Sequence, residues 1–223
     1  MNKFLIVLPA YNEEKTIRKV IKQIKEEGYD LIVVNDGSTD NTLDSIFKEI
    51  NYCIGSSENR GKGHAVKLGA EYAKANGYDW VLILDSDEQM SIADIKQFET
   101  TLNMNCYEEA RIVLGNRLHN AKTMPMLRKL FNYTISYLIS ELTGQRVKDS
   151  QCGMRAIHKD VFDLNLESNR FEFETEMLIK AGKANMKIIN VPIKCIYYKE
   201  RQSKINPVKD LIKLIKMFLK LKK

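Results

Sequence analysis

The stretch Trp80-Val81-Leu82-Ile83-Leu84-Asp85-Ser86-Asp87-Glu88-Gln89 passes from apolar to acidic within one residue. Its first five residues show no polar alternation, so they read as a strand buried on both faces, the mark of a parallel sheet covered by helices. Asp85 and Asp87 follow at alternate positions, which on an extended chain point the same way. Like charges side by side repel, so the pair calls for a cation between them. Hard oxygen donors at the mouth of a parallel sheet suit Mg²⁺ or Mn²⁺, ions that usually come with phosphates. Two solvated turn residues, with Asp87 starting the turn, are the other reading of the same pattern.

Upstream of this stretch the chain alternates strand and helix. Phe4 to Leu8 reads as a buried strand stopped by Pro9, and Ile17, Val20, Ile21 and Ile24 mark an amphipathic helix ending at Gly28. Leu31 to Val34 is a second buried strand, closed by Asn35-Asp36-Gly37-Ser38-Thr39-Asp40. Leu43, Ile46, Phe47 and Ile50 predict a second helix, and a short strand surrounds Tyr52 to Gly55. After Asn59-Arg60-Gly61-Lys62-Gly63 comes a helix over 64–75. This order implies an α/β fold, a doubly wound parallel sheet with right-handed crossovers, whose ligands lie at the carboxyl ends of the strands. The clusters at 9–14, 35–40, 59–63 and 85–89 all fall at those ends.

Downstream, Ile92, Ile95, Phe98 and Leu102 predict a helix, and Arg111 to Leu114 a strand ending in Gly115-Asn116-Arg117. Leu127, Leu130, Phe131, Leu138 and Leu142 predict a long packed helix stopped by Gly144. A helix over 172–184 and a strand over 187–198, interrupted by Pro192, complete the body. No linker, repeat or low-complexity segment divides it, which predicts one domain over 1–206.

The net charge of +6 is concentrated: residues 199–223 carry +7 and the rest of the chain −1. A near-neutral body excludes a nucleic-acid partner and points to a local contact with something anionic. From Pro207 on, Lys209, Lys213, Lys216, Lys220 and Lys223 form one face of a predicted helix over 207–223. Val208, Leu211, Ile212, Ile215, Phe218 and Leu219 form the other. Such a helix either lies on an anionic membrane surface or packs on its own domain with a solvated lysine face.

The four cysteines show no C-x-x-C spacing, which predicts reduced thiols and no zinc site. The apolar run Phe4 to Ala10 is too short for a signal peptide, and no run approaches the ~20 apolar residues that span a bilayer. The expected location is therefore cytoplasmic. His64, His119 and His158 need no catalytic role.

Asp36 and Glu13 are placed to accept hydrogen bonds from a ribose or base edge, or simply to cap turns and helices. Gly61-Lys62-Gly63 lets backbone and one cation approach a phosphate ahead of a helix N-terminus. It matches neither G-x-x-x-x-G-K-[ST] nor G-x-G-x-x-G, which weakens ATPase and dehydrogenase readings.

In order along the chain, the sets Leu8-Pro9-Ala10-Tyr11-Asn12-Glu13-Glu14, Val34 to Asp40, Asn59 to Gly63, Asp85-Ser86-Asp87, Gly115-Asn116-Arg117, Asp149 to Ala156 and Phe171 to Glu176 resemble the successive signatures of family 2 glycosyltransferases. Within that family the chain is most similar to dolichol- and polyprenol-phosphate sugar synthases. The resemblance implies a GT-A fold, mostly parallel with a Rossmann-like N-terminal half and helices on both faces. It also implies a UDP- or GDP-sugar donor and inversion at the anomeric carbon.

Pro9, Tyr11, Glu13 and Asp36, with Lys62 and Asp85, would then line the nucleotide site. Asp85, Asp87 and Gln89 would hold Mg²⁺ or Mn²⁺. Arg117, Arg201, Ser203 and Lys204 resemble positions that contact an acceptor phosphate, which is already ionised and needs no strong base. A glycan hydroxyl acceptor would need one, and Glu174 or Glu172 is the candidate. Many relatives carry carboxy-terminal membrane helices and this chain shows none, so its membrane contact would be peripheral or supplied by a membrane partner protein. A sugar-1-phosphate nucleotidyltransferase and a catalytically silent binding subunit are the competing classes. The first lacks its Gly-rich, Arg-containing opening loop here, and the intact acidic pair speaks against the second.

Overall fold

The structure, a computed structural model, describes residues 3–104, 107–118 and 124–194. Arg201, Gln202, Ser203, Lys204, the helix expected over 207–223, Cys106, Cys195, His119 and the last strand beyond 194 lie outside the described residues.

Seven strands form one sheet: β1 (Phe4–Ala10), β2 (Leu31–Asp36), β3 (Ile54–Ser56), β4 (Trp80–Ile83), β5 (Ala110–Asn116), β6 (Arg155–His158) and β7 (Lys187–Pro192). Their order is β3-β2-β1-β4-β6-β5-β7. Among the described residues, only β6 runs antiparallel to its neighbours, pairing with β4 on one side and β5 on the other. Its four residues begin with Arg155, too short and too polar at the start to read as a strand in sequence.

Alternate residues of each central strand feed two cores. Leu5, Val7, Val81 and Ile83 face α3 (Lys62–Ala75), α5 (Met126–Thr143) and α6 (Glu172–Lys183). Ile6, Leu8, Trp80 and Leu82 face α1 (Ile17–Glu26), α2 (Thr42–Phe47) and α4 (Ile95–Leu102). The expected stripe of α1 is borne out, since Ile17, Val20, Ile21 and Ile24 are all buried.

Three expectations are corrected. β1 does not stop at Pro9 but runs to Ala10. The β1–β4 ladder has already ended with the Leu84 N–H donating to the Val7 carbonyl, so no β4 acceptor is left wanting the N–H that Pro9 lacks. In α2, Leu43 and Phe47 are exposed, and the buried positions are Thr42 and Ile46. Thr42 is drawn inward because its hydroxyl accepts from the Glu13 N–H at 2.7 Å and donates to Asp40.

The largest departure is α5. Leu127 (83% exposed), Leu130 (63%) and Leu138 point outward, with Met126, Tyr133 and Tyr137 beside them. The inward face is Asn132, Ile135, Ser136 and Ile139. Ser136 is polar because it grips the loop before β6: its hydroxyl donates to Ser150 Oγ and accepts the Ser150 N–H at 2.9 Å. Gly144 ends the helix at φ 64°, as expected.

Candidate active site

In the sheet, β1 lies between β2 and β4, so the crossovers from β1 leave in opposite directions and a crevice opens at the carboxyl ends of β1 and β4. The clusters at 9–14, 35–40 and 85–89 all meet there. Much of what makes the first two recognisable is lacing between them. Asn12, at φ 55°, accepts the Thr39 N–H through Oδ1 at 2.8 Å and donates its own N–H to Ser38 Oγ at 3.1 Å. Glu14 donates its N–H to Asp40 and accepts from the Asn41 N–H. Glu13 Oε2 accepts from the Thr16 hydroxyl at 3.1 Å. Tyr11 stands at the rim, 36% exposed. Pro9 contributes a carbonyl that accepts from the Ser86 hydroxyl at 3.0 Å, tying the end of β4 to the end of β1.

Asp36 is buried and accepts from the Arg60 N–H at 3.0 Å and the Gly61 N–H at 2.8 Å. It fastens the end of β2 to the entry of α3. Any ribose at this carboxylate would share it with those two amides. The glycines of Gly61-Lys62-Gly63 are required by packing against residues 169–173. Gly61 has φ 102°, where an added Cβ would meet the Asn169 carbonyl, and a Cβ at Gly63 would lie 2.5 Å from that of Phe173. Between them, the first residue of α3 aims its side chain into the site.

That residue, Lys62, is the centre of the charge arrangement. Its ammonium lies 2.6 Å from Asp85 Oδ1 and 2.7 Å from Glu174 Oε1. Glu174, in the first turn of α6, has its second oxygen 3.0 Å from Arg155 Nη2. Arg155 is fully buried at the start of β6, where its Nη2 also reaches the Cys152 and Ser150 carbonyls. Four charges of alternating sign thus run Asp85, Lys62, Glu174, Arg155. Burial raises the Asp85 pKa, but Lys62 outweighs it, with Arg155 and Arg117 behind, and the net shift is downward. For Lys62, burial acts downward and the Asp85 and Glu174 carboxylates overcome it, leaving the ammonium firmly charged.

The sequence pattern misjudged how the acidic pair is aimed. β4 ends at Ile83, and Asp87 sits in a turn, so alternation along an extended chain does not apply. Asp87 Oδ1 accepts the Gln89 N–H at 3.0 Å, and Glu88 between them has φ 60°, a strained conformation for a non-glycine residue, held by an ion pair to Lys19 at 2.8 Å. Asp85 is backed by Gly153, where a Cβ would come within 1.7 Å of its carboxylate.

This donor set fits a divalent ion. Asp85, Asp87 and the Gln89 amide offer hard oxygens, while no cluster of three or more His, Cys, Asp or Glu is gathered among the described residues. An ion held by two carboxylates and completed by a ligand's phosphates is the usual arrangement for Mg²⁺. Gly153→Ala is therefore expected to lower catalysis by about 10²-fold, because an active-site group displaced by an ångström is costly. The melting temperature should stay within a few degrees, since the clash is with the tip of one side chain. Parallel activity and thermal-melt measurements check both.

Arg117, which resembles a position that contacts an acceptor phosphate, lies inside the protein. It is 3% exposed and forms a two-point pair with the fully buried Asp149, Nε to Oδ2 and Nη2 to Oδ1, both at 2.8 Å. With its amide turned to suit its neighbours, Asn132 of α5 accepts from Arg117 Nη2 at 3.3 Å. Asp149, Gly153 and Arg155 had no assigned roles in sequence. The signal was a charged residue on either side of Cys152-Gly153-Met154, inside a stretch otherwise suited to a core. Burial pushes the Cys152 thiol up to about 12, so it is inert. Glu176, which accepts the Glu167 and Ser168 N–H groups, holds the loop before α6.

A sequence profile described as "Glycosyl transferase family 2" matches residues 5–164. The chain is 34% identical over 218 residues to the UDP-N-acetylglucosamine–dolichyl-phosphate N-acetylglucosaminyltransferase of Methanococcus voltae, spanning 86% of this chain and 85% of that one. A dolichyl-phosphate beta-glucosyltransferase of Trichomonas vaginalis is 28% identical over 84% of this chain and 64% of its own length. Among solved structures, glucosyl-3-phosphoglycerate synthase from Mycobacterium tuberculosis, in complex with Mn²⁺ and UDP-glucose, superposes with a TM-score of 0.71 over 97% of this chain and 79% of that chain, at 21% identity. That likeness establishes the GT-A fold.

Proposed function

The chain belongs to glycosyl transferase family 2, and from that premise we propose that it is an inverting, metal-dependent enzyme moving a sugar from a UDP- or GDP-sugar to a polyprenyl phosphate. Asp85, Asp87 and Gln89 would hold Mg²⁺ or Mn²⁺, which when bound offsets the charge growing on the departing nucleoside diphosphate. Pro9, Tyr11, Glu13 and Asp36 form the nucleoside side of the crevice, and Lys62 faces the diphosphate. Arg117, pre-oriented by Asp149, belongs to the acceptor side together with Arg201, Ser203 and Lys204.

One observation carries the choice of acceptor. A hydroxyl nucleophile needs a base, yet Glu174 has one oxygen against Lys62 and the other against Arg155. With one oxygen held by each cation, neither is left to face an acceptor hydroxyl. A phosphate acceptor arrives ionised and needs only alignment. Glu174 is then a positioning residue for Lys62.

The lipid part of the acceptor is supported by α5. Its outward face carries Met126, Leu127, Leu130, Tyr133 and Tyr137 on the helix whose inner face holds the Arg117 and Asp149 segment. Apolar residues grouped this way mark a surface that meets lipid or protein. No helix among the described residues is long and apolar enough to cross a membrane. We place the enzyme peripherally, on the cytoplasmic membrane face, with the basic 207–223 segment as a second contact.

The test supplies labelled UDP-N-acetylglucosamine, UDP-glucose and GDP-mannose with either polyprenyl phosphate in vesicles or soluble glycans. Label should pass into the organic-extractable lipid with one donor. Transfer to glycan alone would overturn the choice of acceptor. Leu127→Glu combined with Leu130→Glu is expected to reduce vesicle-dependent transfer by about tenfold or more, as interfacial binding scales with buried apolar area. Nucleotide affinity should be unchanged, which vesicle co-sedimentation and calorimetry together would show.

A further inference from the structure

A divalent ion approaching Asp85 in this conformation finds an ammonium already there. Lys62 lies 2.6 Å from Asp85 Oδ1, and Glu174 grips it from the other side at 2.7 Å. Glu174 is anchored in turn by the fully buried Arg155. The lysine is the first residue of α3, between two glycines that seat this turn against the entry of α6. Its placement is thus built into the fold rather than left to a flexible surface chain.

Asp85 and Glu174 face Lys62 and Arg155 and balance them, the Arg117–Asp149 pair cancels itself, and Asp87 in the adjoining turn leaves a single negative unit. Glu88 and Lys19 neutralise one another nearby. An ion of charge +2 entering such a site meets little net attraction, and it must share Asp85 with a cation at contact distance. A nucleoside diphosphate alters this balance, because its phosphates give Lys62 further anionic partners.

We propose that Lys62 is a resident counter-ion that makes metal binding conditional on nucleotide: alone, the divalent ion binds weakly, and the ion and the nucleoside diphosphate enter as a coupled pair. This deepens, and rests on, the donor-site assignment of the proposed function. Because coupling free energy is reciprocal, the ion strengthens nucleotide binding by the same factor that the nucleotide strengthens ion binding. In a cell, the enzyme would then not hold metal between turnovers.

Two substitutions push in opposite directions. Lys62→Met removes the competing cation, so Mn²⁺ alone should bind about tenfold tighter or more, and the coupling to nucleotide should shrink, within the range typical of such couplings. Glu174→Gln removes one negative charge and leaves the ammonium to Asp85, so Mn²⁺ alone should bind more weakly than to wild type. The readout is the free Mn²⁺ electron paramagnetic resonance signal, titrated with and without UDP or GDP, with circular dichroism confirming the fold of each variant.

Wild-type Mn²⁺ affinity independent of nucleotide would overturn the proposal, as would a folded Lys62→Met protein that binds Mn²⁺ no better than wild type. Should Lys62→Met not fold, unchanged or tighter Mn²⁺ binding by Glu174→Gln would overturn it equally. A wild type that binds Mn²⁺ but neither nucleotide under any condition overturns the donor-site assignment itself, and this proposal with it.

Discussion

Asp87→Ala is expected to lower sugar transfer by about 10³-fold or more, the scale seen when a group stabilising transition-state charge is removed. The fold should be unaffected. Asp87 lies in the turn after β4, outside both cores, and its Oδ1 accepts the Gln89 N–H of the same turn. Losing that bond costs local order around Gln89 and Glu88, not packing. Asp85→Asn should be comparably inactive for a different reason, since it also strips Lys62 of its partner at 2.6 Å. Activity measured across Mn²⁺ concentrations separates the two. If Asp87→Ala kept activity within tenfold of wild type, the acidic pair would be no more than a solvated turn.

The second large effect is on stability. Asp149→Ala is expected to destabilise the protein by about 3–5 kcal/mol, the usual cost of stranding a buried charge. In a chain of this size that is a fall in Tm of about 10 °C. Asp149 is fully buried, and its carboxylate accepts three hydrogen bonds from Arg117: the backbone N–H, Nε and Nη2. Arg117 is equally cut off from water, so it cannot recover hydration when its partner is lost.

Replacing both, Arg117→Met with Asp149→Leu, should restore much of the stability, because apolar pairs of similar volume often match a buried ion pair. Transfer should stay low if Arg117 acts on the acceptor side. Thermal melts and activity of the single and double variants check this. An Asp149→Ala protein melting with wild type would contradict the buried-pair account. A double variant with wild-type transfer would remove Arg117 from the site.

The architecture was legible because strands buried on both faces announce themselves as apolar runs. Phe4 to Leu8, Leu31 to Val34 and Trp80 to Leu84 could hardly be anything else, and the turn clusters after them located the crevice. What escaped depends on contacts distant in sequence. Periodicity marked α5 as apolar on one side but could not say that this side faces outward. Ser136 and Asn132, which look like surface residues, are turned in, Ser136 to hold the loop before β6 and Asn132 to meet Arg117. The antiparallel β6 escapes because its four residues begin with Arg155 and its place between β4 and β5 is set by partners distant in sequence.

At the site, residue identities were readable and their partners were not. Nothing local to Lys62 indicates Asp85 or Glu174, and nothing in Cys152-Gly153-Met154 shows that the glycine makes room for a carboxylate. The lacing of Asn12 to Thr39 and of Glu14 to Asn41 also accounts for motif residues that need no ligand at all.

The most direct measurement is calorimetric titration of UDP and GDP into the wild-type protein and Asp87→Ala, each with and without Mn²⁺. One nucleotide should bind the wild type strongly only when Mn²⁺ is present, and that binding should vanish in Asp87→Ala. If neither nucleotide binds a well-folded wild type, or if binding is indifferent to both Mn²⁺ and Asp87, the ends of β1 and β4 are not a metal-dependent donor site.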